Sequence, residues 1–159
     1  MSFHDRRATA APVHASDASP PYAEIAGKLV TAMRDANLEA ILALLHPSVE
    51  VFEPASLPYG GTWRGHDGFT TLLEQLLKLG RLSIGTGKIH EIDNGVIMEL
   101  PIAFTSQQDG EVFHTSAVEI DRFEGSLVRE IDIFYKDTAA LNDYVSRQLQ
   151  LGHPKDPVH

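Results

Sequence analysis

The stretch GSLVREIDIFYKDTAAL, Gly125 to Leu141, decides the fold. It leaves a Glu124-Gly125 turn, runs extended through branched and aromatic residues from Leu127 to Tyr135, and enters a helical pattern from Thr138 to Leu149. The residues before it, Glu111 to Phe123, form the other arm of a hairpin. If Glu124 and Gly125 are the loop, Leu127 stands opposite Arg122, Arg129 opposite Ile120, Ile131 opposite Val118, Ile133 opposite Ser116 and Tyr135 opposite His114. That mostly apolar face is expected to lie against helices. Glu119, Asp121, Glu130, Asp132 and Phe134 fall on the other, solvated face.

Upstream, Leu82 to Ile92 and Val96 to Thr105 join through Asp93-Asn94-Gly95, a tight-hairpin signal. This register sets Ile92 against Ile97, Glu91 against Met98 and His90 against Glu99, an exposed cross-strand pair worth under about 1 kcal/mol. Gly85 and Gly87 read as a bend in a curved strand. His66 to Gly80 has helical period, Ser56 to Gly65 reads as a loop, and Ser48 to Glu53 alternates as a strand. Two helices come first: Tyr22 to Asp35, then Leu38 to Leu45, ended by His46-Pro47 with His46 as its cap. Residues 1–21 and 150–159 read as flexible tails around one domain, 22–149. Two helices, a strand, a helix, long strands and a closing helix make an α+β fold with a mostly antiparallel sheet.

Composition narrows the chemistry. The chain has 159 residues, no cysteine and a formal net charge of −9. Thiol nucleophiles, disulfides and cysteine-held metal centres are excluded together. The acidic excess and the lack of Lys/Arg clusters argue against nucleic acid. No apolar run approaches the roughly 20 residues of a membrane span, and no signal core opens the chain, so a cytoplasmic location is expected. The eight histidines show no metal-ligand spacing, so no metal is expected.

Two segments carry a resemblance. The loop Ser56-Leu57-Pro58-Tyr59-Gly60-Gly61-Thr62-Trp63-Arg64-Gly65 with the helix start His66-Asp67-Gly68-Phe69, and the closing Gly125–Leu141 stretch with its Asp-Thr-Ala-Ala-Leu, resemble the SnoaL-like branch of the nuclear transport factor 2-like superfamily. The resemblance spans about Tyr22 to Leu149. It implies a cone-shaped curved sheet wrapped around the N-terminal helices, with an apolar pocket inside. Relatives of that fold include ketosteroid isomerases, polyketide cyclases, limonene epoxide hydrolase, scytalone dehydratase and non-catalytic binding proteins.

The implied function is cofactor-free acid–base chemistry of isomerase, cyclase or dehydratase (lyase) type on a hydrophobic carbonyl-bearing small molecule. The alternative is a non-catalytic small-ligand-binding or dimeric scaffold protein of the same fold. Family members often pair through the outer sheet face, which implies a homodimer. An enolising enzyme needs a base and donors for the oxyanion. Glu53, at the end of an apolar strand face, and His114 are the candidate bases. Tyr135, with Tyr59, is the candidate donor. Tyr59, Trp63, Phe52, Val118 and Ile131 are the expected substrate-binding residues. Epoxide hydrolysis is disfavoured: Asp132 aligns with that enzyme's last-strand Asp, but Met98-Glu99-Leu100 replaces its Arg-x-Asp.

Overall fold

Apolar residues at helical spacing bury Ile25, Ala26, Leu29 and Val30 on one stripe of the first helix, α1 (Tyr22–Arg34), in a computed structural model that describes residues 21–152. The proposed tails, and His4, His14, His153 and His159 with them, lie outside or almost wholly outside the described residues. Helix α2 (Leu38–Leu44) starts at Asn37, whose side chain accepts from the Ala40 N–H at 3.1 Å. Strand β1 (Leu45–Glu53) follows without a loop. His46 therefore caps no helix. It lies in the strand, where Nδ1 accepts from the Ser48 N–H at 3.0 Å.

The expected loop at 56–65 contains a short strand, β2 (Gly61–Arg64), paired antiparallel with β1. Helix α3 (Gly65–Leu79) buries Phe69, Leu72, Leu76 and Leu79. The single long strand expected at 82–92 is two, β3 (Arg81–Ile84) and β4 (Lys88–Ile92). Gly85 and Gly87 lie at the break. A Cβ on Gly87 would meet the Glu99 carbonyl oxygen at 2.4 Å, so the backbones approach too closely there for a side chain. Both pieces pair with β5 (Gly95–Thr105), β3 along its second half and β4 along its first. Then come β6 (Val112–Glu124), β7 (Leu127–Tyr135) and helix α4 (Thr138–Leu151), whose cap Asp137 accepts from the Ala140 N–H at 2.9 Å.

The sheet runs β2-β1-β7-β6-β5-β3, with β4 beside β5. Every pair is antiparallel except β1 with β7. The fold is thus α+β, with α1 and α3 packed over one face of a mixed, mostly antiparallel sheet. Among the described residues no helix is long and apolar enough to cross a membrane.

The β6–β7 register corrects the expected faces. Gly125 and Ser126 form the loop, with Gly125 at φ +62°, so Glu124 pairs with Leu127. The partners then jump: Phe123 pairs with Val128 but Arg122 with Glu130, leaving Arg129 as a bulge. Beyond it Asp121 faces Ile131, Glu119 faces Ile133 and Ala117 faces Tyr135. The pairing has shifted by three positions, an odd number, and β6 is inverted relative to the expectation. Glu119 and Asp121 turn inward. Val118 and His114 turn outward, with Val118 38% exposed.

The β4–β5 hairpin is also displaced, but by two. Ile92 pairs with Gly95 and His90 with Ile97, so His90 and Glu99 are diagonal neighbours on the same face. They still meet at 3.1 Å, both more than half exposed. An even shift keeps every side chain on its side.

Candidate active site

The concave sheet face and helices α1 and α3 enclose an apolar cavity of about 70 Å³. Leu29 and Met33 of α1, Phe69 and Leu72 of α3, and Met98 and Phe104 of β5 supply much of its wall. Its polar groups are few and come from three strands: Glu53 at the end of β1, Glu119 of β6, and Tyr135 at the end of β7. Strand parity explains this. Val49, Val51 and Glu53 share the inward face of β1, so the first polar residue on that stripe enters the cavity instead of solvent.

Glu53 is 5% exposed. Its Oε1 accepts a long hydrogen bond from the Tyr135 hydroxyl at 3.4 Å, and its Oε2 has no partner. Burial raises its pKa from 4.5 to about 8; Glu119 adds to the rise, and the Tyr135 hydrogen bond opposes it. Glu119 is half-buried and lines the cavity. Burial pushes its carboxyl upward as well. One step along the same face, Asp121 is fully buried, with both carboxylate oxygens unpartnered. Burial first, then Glu119, holds its pKa well above the usual range.

Tyr135 and Tyr59 complete the group. Burial, then Glu53, then Tyr59 raise the Tyr135 pKa, and burial and Glu53 raise that of Tyr59. Both phenols therefore stay protonated and can donate. The Tyr59 hydroxyl feels Glu53 and Tyr135 electrostatically but lacks a partner of good hydrogen-bond geometry.

Of the residues singled out in the sequence, the structure brings Glu53, Tyr135 and Ile131 to the cavity wall. Tyr59 is buried beside the Glu53–Tyr135 pair but is not part of that wall. Trp63 is half-buried, and its Nε1–H donates to the Tyr59 carbonyl at 3.0 Å, which ties the loop down. Phe52 pairs with Asp132 on the outer face of β1 and β7, because it alternates with Val51 and Glu53. His114 and Val118 are exposed on the outer side of β6. His114 is thus far from the role expected of it: its supposed partner Tyr135 pairs with Ala117 instead.

Simple alternation misses Glu119 and Asp121, because it cannot register the bulge. One signal of it is present. Val128 and Ile131 are both buried, three apart where a regular strand would place them two or four apart. Among the described residues no cluster of His, Asp and Glu could hold a metal ion. The arrangement can move a proton: it offers a raised-pKa carboxyl with one free oxygen, a second carboxyl, and a phenol donor within an apolar wall.

No protein-family model matches the sequence, and no curated protein matches it significantly. Solved structures do. TerC, co-crystallised with polyporic acid, superposes with a TM-score of 0.70 at 20% identity, covering 77% of this chain and 96% of that one. An NTF2-like protein of unknown function from Burkholderia pseudomallei K96243 gives 0.71 at 20% identity, over 77% and 95%. A proposed polyketide cyclase from Pseudomonas putida KT2440 gives 0.65 at 17% identity, over 79% and 96%. The chain has the NTF2-like fold, and proposed polyketide cyclases are among its structural neighbours.

Proposed function

We propose that this NTF2-like chain is an enzyme that moves a proton on a hydrophobic, carbonyl-bearing small molecule, using only its own side chains. The observation that carries this reading is the Glu53–Tyr135 pair: a buried carboxyl with a free Oε2 and a phenol beside it, at the wall of an apolar cavity. A pocket built only to hold a ligand has no need of a carboxyl kept near neutral pH in its proton affinity. The proposed cyclases among the neighbours, and TerC with its polyporic acid, support a small organic substrate.

A pKa of about 8 makes Glu53 a far stronger base than an ordinary carboxylate, while leaving about a tenth of it ionised at pH 7. Its Oε2 removes a proton from the carbon next to the carbonyl. The negative charge that gathers on the carbonyl oxygen is met by the Tyr135 hydroxyl. Glu53 then returns the proton to a different carbon for isomerisation. For dehydration it delivers it to a departing hydroxyl. In this scheme the fraction of ionised Glu53, and with it the rate, rises with pH to a midpoint near 8.

Solvent exchange tests this whatever the product of the full reaction is. A panel of aryl ketones and enones is incubated in D2O with the protein, and NMR follows deuterium at the carbon next to the carbonyl. Exchange is expected with the native chain. Glu53→Gln should slow it by about 100-fold or more, and Tyr135→Phe by about 10- to 100-fold. Exchange unchanged in Glu53→Gln would remove Glu53 as the base. Ligand binding with no exchange at all would favour the ligand-binding alternative.

A further inference from the structure

The cavity is too small for the whole of such a substrate. Its 70 Å³ is about half the roughly 150 Å³ of an apolar cavity that takes benzene. A second void of about 470 Å³ lies against it, between the C-terminal end of α1, α3 and β3. Met33, Leu73, Leu82 and Ile84 line both, so these side chains form part of the wall between the cavity and the outer cleft. Methionine and leucine side chains at such a partition can swing without disturbing the backbone.

The cleft also carries charge of one sign. Arg34 and Arg81 line it, and among the described residues no carboxylate does. Elsewhere the described arginines are neutralised. Arg64 meets Glu50 at 3.0 Å, Arg122 meets Glu130 at 3.7 Å, Arg129 meets Glu124 at 3.6 Å and Arg147 meets Glu111 at 3.0 Å. Arg34 and Arg81 form no such pair among the described residues. In a chain of net charge −9, the two described arginines left without a counterion share one cleft. Arg34 is also fixed in place. Its Nε donates to the Ile84 carbonyl at 2.9 Å and its Nη2 to the Gly85 carbonyl. Carbonyls orient a guanidinium without cancelling its charge, and they leave further N–H groups free.

We infer that the outer cleft is an anion subsite: the substrate is an elongated molecule whose carboxylate, or comparable anionic group, is held by Arg34 and Arg81 while its carbonyl end reaches Glu53 and Tyr135. This deepens the proposed function and rests on it for the identity of the reacting end. The guanidinium fork suits a carboxylate in particular, since two parallel N–H bonds can meet its two oxygens.

The test compares 2-naphthoate with 2-naphthamide, near-isosteric probes differing in charge, by calorimetric titration of the full chain at low ionic strength. Naphthoate should bind about tenfold more tightly, with the margin shrinking as salt is added. Arg34→Gln and Arg81→Gln should each reduce the margin, with naphthamide affinity held within about twofold. Because Arg34 also ties the β3–β4 connection, Arg81→Glu at an exposed position provides an independent arm and should reverse the preference. Equal affinity in the native chain, a preference that survives Arg81→Glu, or failure of both probes to bind would overturn the subsite. Glu53→Gln should leave the preference intact. A wrong base therefore shows in the exchange assay alone, and a wrong subsite in this titration alone.

Discussion

The two faces of one sheet treat the same side chains in opposite ways. On the outer face, Glu50 meets Arg64 and Glu130 meets Arg122, all with access to water. Glu53, three residues beyond Glu50 on β1, and Glu119 and Asp121, on β6 beside Arg122, point inward, where no arginine or lysine among the described residues pairs with them. The outer carboxyls are paired ions. The inner ones hold their protons, because an unpaired charge in an apolar cavity is far costlier than a neutral acid. The face a strand position takes decides between a surface ion pair and a buried neutral acid.

The sharpest way to break this contrast is to place a charge on each face. Asp121→Lys puts an ammonium where nothing can pair with it and should cost at least about 3 kcal/mol in denaturant unfolding. Glu130→Lys on the outer face should cost no more than about 1 kcal/mol, mainly through its like charge beside Arg122. Similar losses at both sites would erase the distinction.

Next comes pH. The inner carboxyls ionise at 4.5 or 3.8 in an unfolded chain, whereas Glu53 keeps its proton in the fold until about pH 8. Between those values the folded state binds more protons than the unfolded state. Stability is therefore greatest below about pH 4 as far as these groups are concerned, and falls as pH rises through 8. Each unmatched proton costs about 1.4 kcal/mol per pH unit across that window, or roughly 3 °C or more in Tm. Glu53→Gln should flatten part of the slope in melts between pH 5.5 and 8.5. The smallest effect belongs to the outer pair: Arg122→Ala should change stability by under about 1 kcal/mol, in a salt-sensitive way.

Much of the fold was legible because local chemistry specifies it. The apolar stripe of α1 and the helical period of α3 each follow from a single short-range rule, whereas the break at Gly85 and Gly87 was read only as a bend. Both hairpin loops lie one residue from where turn chemistry alone puts them. That moves the pairing by two and leaves faces unchanged, which is why His90 and Glu99 still meet. The Arg129 bulge adds one more position to the last hairpin, and an odd shift sends Glu119 inward and His114 outward.

Glu53 was legible as the lone polar residue on an apolar strand face. Phe52 was misplaced by taking an aromatic residue as inward without regard to its alternation with Val51 and Glu53. The union of Glu53 with Tyr135 was expected from the sequence, but the addition of Glu119 was not legible, since it depends on the bulge.

The central claim is that Glu53 is a neutral acid near pH 7 and ionises only around pH 8. Side-chain carboxyl NMR of ¹³C-labelled glutamate, with Glu53→Gln identifying the resonance, reads this directly. The account predicts a Glu53 titration midpoint near 8. A midpoint at the ordinary 4.5 would contradict it, because Glu53 would then be a solvated or paired carboxylate like those on the outer face.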